Sequence, residues 1–126
     1  MKAYHIKRGK GRTHNIGIDV TVKAGEHRTT NGAAVIEFTT RKGEEPEEHV
    51  HETEDEMFYV LDGKLAFTCE RKRFDAGPGD FIFLPRGKPH GYSIRSRKPV
   101  RLLVITAPPR KSEKGWSGFI GDFETG

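Results

Sequence analysis

The chain has 126 residues, with 22 Lys or Arg against 18 Asp or Glu and a formal charge of +4. Its hydrophobic content is only 33%, alongside 15 Gly and 7 Pro, which fits one small domain of short strands and turns with a modest core and favours a homodimer as a further source of burial. No stretch has the apolar length of a membrane span, the N-terminus Met1-Lys2-Ala3-Tyr4-His5-Ile6-Lys7-Arg8 lacks the apolar run of a signal peptide, and Cys69 stands alone, so no membrane partner and a reducing, cytoplasmic setting are expected.

Residues 1–14 read as a basic arm. Ile16, Ile18, Val20 and Val22 then alternate with Gly17, Asp19, Thr21 and Lys23, the pattern of a half-buried strand. Residues 33–40 form a second strand that runs into a loop over residues 41–47. His49-Val50-His51 follows as a third extended segment, in which the two imidazoles share one face and Val50 points away. Glu52-Thr53-Glu54-Asp55 reads as a turn. After it Glu56 opens the run Met57-Phe58-Tyr59-Val60-Leu61, from which Glu56 returns on the neighbouring strand to face the two histidines.

Asp62-Gly63 is a hairpin signal leading into Lys64–Thr68, and Glu70-Arg71-Lys72-Arg73 suggests a second hairpin. Phe81-Ile82-Phe83-Leu84 is a short strand that stops at Pro85, which lacks the N–H a central strand needs. His90 begins another strand, with Tyr92 and Ile94 on its face. Val100–Thr106 is the last strong strand, and residues 110–126 form a tail whose Trp116, Phe119 and Phe123 suit aromatic docking, against the barrel or across a dimer. Short, evenly spaced strands of this kind predict an all-β sandwich or barrel, with a core over about residues 16–108.

Two segments carry a ligand pattern. Gly43 is followed after five residues by His49-Val50-His51, after four more by Glu56 and after six more by Gly63; later, Gly79 is followed after five by Pro85-Arg86-Gly87 and after two by His90. Three imidazoles and a carboxylate are a divalent transition-metal set, and a six-coordinate ion held by them keeps positions open for substrate. These segments resemble the two signature motifs of the cupin family, G-x5-H-x-H-x3,4-E-x6-G and G-x5-P-x-G-x2-H-x3-N. The first is complete; the second is complete to His90 and ends on Ile94 in place of Asn.

The resemblance implies a single-domain jelly-roll β-barrel in which His49, His51, Glu56 and His90 bind one divalent ion, with Fe, Mn, Ni, Co, Cu and Zn all compatible. The run from Asn31-Gly32 through Glu44-Glu45-Pro46-Glu47-Glu48-His49-Val50-His51, and the end Leu102–Pro108, are similar to small quercetinase-type cupins. That likeness implies a metal-dependent dioxygenase acting on a small oxygenated molecule with O₂, and a catalytic role for Glu56 as acceptor of the substrate's proton. The same ligands also serve redox-neutral decarboxylases or isomerases and non-catalytic binding modules. Phe58 and Val60 share the parity of Glu56, and Tyr92 and Ile94 that of His90, which makes these four the candidate substrate lining.

Charge is uneven. Nine acidic residues and no Lys or Arg lie between Gly43 and Gly63, and the remainder holds nine acidic and 22 basic residues, so the motif carries −9 and the rest +13. Carboxylates near the mouth of the site would attract the cation and raise the basicity of ligand histidines through outer contacts, and the alternative is a solvated loop, the reading favoured for Glu44, Glu45, Glu52, Glu54 and Asp55. The basic residues lack the aromatic interleaving of a single-strand binder, so no nucleic acid is expected. His5, His14 and His27 have no companions at ligand spacing and read as surface residues, and Cys69 reads as a small packing residue.

Overall fold

The computed structural model describes residues 1–15, 18–25, 28–30 and 32–107. Among them are nine strands: β1 (Arg12–Asn15), β2 (Asp19–Ala24), β3 (Ala34–Thr40), β4 (Asp55–Asp62), β5 (Leu65–Cys69), β6 (Lys72–Ala76), β7 (Phe81–Leu84), β8 (His90–Ile94) and β9 (Val100–Ala107). They form two antiparallel sheets, one of six strands in the order β1-β2-β3-β9-β4-β7 and one of three in the order β6-β5-β8. The architecture is all-β, as the strand pattern predicts, and is the jelly roll that the resemblance implies. The last residues of the basic arm are ordered as β1, which pairs with β2. The predicted aromatic tail, together with Ile16 and His27, lies outside the described residues.

Alternation decides which side chains meet between the sheets. Along β3, Ala34, Ile36, Phe38 and Thr40 are buried and the residues between them half-buried; β9 does the same with Val100, Leu102, Val104 and Thr106. Antiparallel register sets these rows side by side, with Ile36 opposite Val104 and Phe38 opposite Leu102. From the other sheet come Leu65 and Phe67 of β5 and Ile94 of β8. Phe58 of β4 reaches across to Phe67, their ring centroids 5.0 Å apart.

Two expected connections differ. Asp62-Gly63 is not a hairpin, because β4 pairs with β9 and β7 while β5 pairs with β6 and β8. With both edges of β4 taken, the chain turns a corner there into the second sheet. Asp62 accepts the Gly63 N–H at 2.9 Å, and the Lys64 carbonyl accepts the N–H groups of Arg95 and Ser96. The corner needs glycine: Gly63 has φ of +86°, and a Cβ there would lie 2.8 Å from Val100 Cγ2. The second expected hairpin is present, with Cys69 paired to Lys72 across Glu70-Arg71.

His49–His51 is also not a regular strand beside β4. It joins β8 through an isolated bridge, in which His49 and His90 exchange both backbone hydrogen bonds at 3.0 and 2.9 Å. The Gly87 N–H then donates to the His51 carbonyl at 2.7 Å, and the chain bends away at Glu52-Thr53. The two motif segments are thereby tied to one another, and Glu56 faces them from the opposite sheet.

Candidate metal centre

Each member of the ligand pattern reaches the centre from a different backbone setting. Glu56 is the first inward residue of β4, next to Thr106 on β9 and Leu84 on β7. His90 opens β8, and its bridge to His49 places those two rings 4.6 Å apart. His51, two residues on, turns the same way, with its ring 4.9 Å from that of His49 and 5.3 Å from that of His90. Parity thus does here what a full strand would have done. One ligand atom from each of His49, His51, Glu56 and His90 can be chosen so that all lie within 4.8 Å of one another.

The donors are buried, apart from half-buried His49, which marks the open side. His51 Nε2 lies 3.0 Å from Glu56 Oε2, yet neither atom makes a hydrogen bond of acceptable angle, and both ring nitrogens of His90 are likewise unpartnered. Buried polar atoms are rarely left so. Such atoms, one each from His51, Glu56 and His90, turned toward one point beside His49 and of the types that ligate transition metals, fit a divalent cation.

The Cupin domain family model matches residues 36–106, more than half of the chain. The chain is a cupin.

Among curated proteins, this cupin is 33% identical over 104 residues to quercetin 2,3-dioxygenase of Bacillus subtilis (strain 168), a match covering 82% of the chain and 31% of the enzyme. It is 31% identical over 65 residues to an uncharacterized protein of Methanocaldococcus jannaschii, covering 52% of each. The chain therefore spans about a third and about half of the lengths of these relatives. Solved structures with the same fold include KdgF from Halomonas sp., with TM-score 0.72 at 19% identity over 85% of this chain and 96% of that one. A predicted oxalate decarboxylase from Thermotoga maritima gives TM-score 0.74 at 19% identity over 82% and 97%. Among the described residues of the cupin, no helix is long and apolar enough to cross a membrane.

The electrostatics of the centre are split between its histidines. Burial opposes a charged His51, but the carboxylates of Glu54 and Glu56 outweigh it and push the imidazole up to about 10. His90 moves the other way: burial first, then the neighbouring imidazoles, hold it below the usual histidine range despite Glu56. The raised value of His51 means that its charge contributes stability fully below pH 6.5, and that this contribution is lost as pH rises through about 10. It also means that His51 would have to give up a proton before it could ligate an ion. Apparent affinity for a divalent ion is therefore expected to rise about tenfold per pH unit through the neutral range, which titration against a competing chelator at several pH values checks. A flat profile would contradict the assignment of His51.

The acidic segment departs from the solvated loop read from sequence. Glu44 and Glu52 are exposed, but Glu54 is fully buried, with Oε1 3.3 Å from His51 Nδ1. Asp55 accepts three contacts from Arg86, at 2.9 Å from its backbone N–H and at 3.2 and 3.0 Å from its guanidinium, tying the Pro85-Arg86-Gly87 turn to the start of β4. Those Arg86 bonds hold the Asp55 carboxyl below its ordinary value. Glu45 accepts the Ile94 N–H at 3.1 Å and so pins the loop to β8. What sequence reasoning missed is that strand parity continues backwards from Glu56: Glu54 is one more inward position.

Phe58, Val60 and Ile94 sit in the core, at 2%, 0% and 3% exposure, and Tyr92 is half-buried against it. The Tyr92 ring is 5.8 Å from Phe67 and 6.3 Å from Phe58. Burial, then the Glu56 and Glu45 carboxylates, push its phenol up, so it stays protonated and can donate. Thr106 was not a sequence candidate: it is buried in the same row as Glu56, and its Oγ1 has no hydrogen-bond partner. Cys69 is half-buried with its thiol pushed up by burial, in keeping with packing rather than nucleophilic use.

Proposed function

We propose that this cupin binds one divalent transition-metal ion on His49, His51, Glu56 and His90 and acts as a dioxygenase on a small oxygenated organic molecule, with O₂ as second substrate. The observation that supports the centre is the convergence of four donor residues, of which His51, Glu56 and His90 are buried and leave polar atoms without hydrogen-bond partners. The reaction class rests on the 33% identity to quercetin 2,3-dioxygenase across 82% of the chain.

A bound ion would supply Lewis acidity for an enol, catechol or carboxylate oxygen and a site for redox chemistry with O₂. The remaining work falls to side chains. Glu56 is the base: its carboxylate is buried at the level of the imidazoles, where it accepts the proton of a substrate hydroxyl. Tyr92 donates a hydrogen bond that orients the substrate. Phe58 and Tyr92 each lie two residues along a strand from a ligand, about 7 Å on, and form the near apolar wall; Val60 and Ile94, about 13 Å on, form the floor. Beside Glu56, the Thr106 hydroxyl is a further polar contact. The apolar wall also excludes water from the reacting atoms.

The expected homodimer has a candidate face. Tyr59, Phe81 and Phe83 are exposed together on the outer side of paired β4 and β7, a larger apolar cluster than scattered surface residues make.

Assay of the metal-loaded protein with quercetin and a panel of enols, catechols and keto acids, with and without air, tests the reaction. Turnover is expected only with O₂. Equal turnover without O₂ would replace the dioxygenase by a decarboxylase or isomerase, and tight binding without turnover would leave a binding module.

A further inference from the structure

His51 differs from His49 in what stands behind the ring. His49 Nδ1 faces the backbone carbonyl of Glu47 at 2.8 Å, a neutral partner that many surface histidines find. His51 has a carboxylate on each side: Glu56 Oε2 at 3.0 Å from Nε2, toward the centre, and Glu54 Oε1 at 3.3 Å from Nδ1, away from it; each pair is within reach, and neither meets at a hydrogen-bonding angle. Glu54 is 0% exposed. A buried carboxylate costs several kcal/mol unless a charged or hydrogen-bonding group answers it, and a solvated turn would have been open to a residue in Glu52-Thr53-Glu54-Asp55.

We propose that Glu54 is a positioning residue for the metal centre: it holds a proton on His51 Nδ1, fixing the tautomer that presents Nε2 to the ion and strengthening that nitrogen as a donor. The inference rests on the four-ligand reading and deepens it. Its chemistry is that of a carboxylate–histidine–metal relay, in which an outer carboxylate sets ring orientation and basicity. Glu54 touches neither the centre nor a substrate in this arrangement. It acts through His51, and it does so from the same strand parity that supplies Glu56, so one β-segment provides both a ligand and the support of another ligand.

The test loads the full chain, with isotope-labelled histidine, with zinc. In the wild-type protein the nitrogen spectrum is expected to show His51 protonated at Nδ1 and ligating through Nε2. In Glu54→Gln, which keeps the volume but removes the charge, the Nδ1 proton resonance is expected to move and zinc affinity, measured against a competing chelator, to fall by about 10- to 100-fold. A merely structural Glu54 would lower the unfolding temperature of the metal-free protein and leave the His51 proton where it was. If the wild-type protein binds zinc while Glu54→Gln has unchanged affinity and an unmoved proton, the proposal is overturned and the four ligands stand. Should Glu54→Gln fail to fold, the wild-type spectrum alone decides: a His51 that ligates through Nδ1, or has no Nδ1 proton, overturns it. A wild-type protein that takes up no zinc overturns both readings.

Discussion

Glu56→Gln is expected to weaken the binding of a divalent ion by more than the roughly 10- to 100-fold that loss of an outer partner costs, because it removes the only anionic member of the ligand set. The loss is electrostatic more than steric. With Glu56 ionised, three neutral imidazoles and one carboxylate leave a dication with about one positive charge to be carried by the barrel interior; with Gln, the full charge stays where water is scarce and the compensation is a neutral dipole. The variant also removes one of the two carboxylates that raise His51, so in the metal-free protein that imidazole should titrate at lower pH. Chelator competition measures the first effect and histidine NMR the second. Wild-type affinity in Glu56→Gln would rule this carboxylate out as a ligand.

Phe67→Ala is expected to destabilise the protein by about 3–5 kcal/mol, the usual result of emptying an aromatic site in a core. Phe67 is 0% exposed, on the central strand of the three-stranded sheet, and its ring reaches across the gap to Phe58 of the other sheet at 5.0 Å while lying beside its cross-strand neighbour Tyr92 at 5.8 Å. Its removal takes away contacts from both sheets at once and leaves a cavity that two rigid sheets cannot close. It should also loosen Tyr92, so that ligand binding suffers along with stability. Urea unfolding gives the magnitude.

The convergence of the ligands could be foreseen from sequence because it depends on parity, and parity survives even where regular pairing does not. His49 and His51 keep a common face although only His49 is bridged to another strand. Strand identity was equally clear wherever one face is buried, as in β3 and β9. Partner choice was not legible. The Asp62-Gly63 dipeptide is the same whether the chain folds back on itself or turns a corner, and what decides is that β7 and β9, far along the chain, already occupy both edges of β4. Glu54 escaped for a related reason. A carboxylate in an acidic run is usually solvated, and the tertiary position of His51 brings an imidazole beside this one in the interior. Cooperation between residues distant in sequence also explains Asp55 and Arg86, whose contacts lock the two motif segments together.

Metal content of protein purified without chelators or a metal-affinity column, read by elemental analysis together with X-ray absorption at the edge of the ion found, tests the central claim most directly. About one ion per chain in the wild type, with a shell of several imidazole nitrogens and a carboxylate oxygen and occupancy lost in His49→Ala and His90→Ala, is the predicted result. Full occupancy in those variants, or a shell without imidazoles, would contradict it.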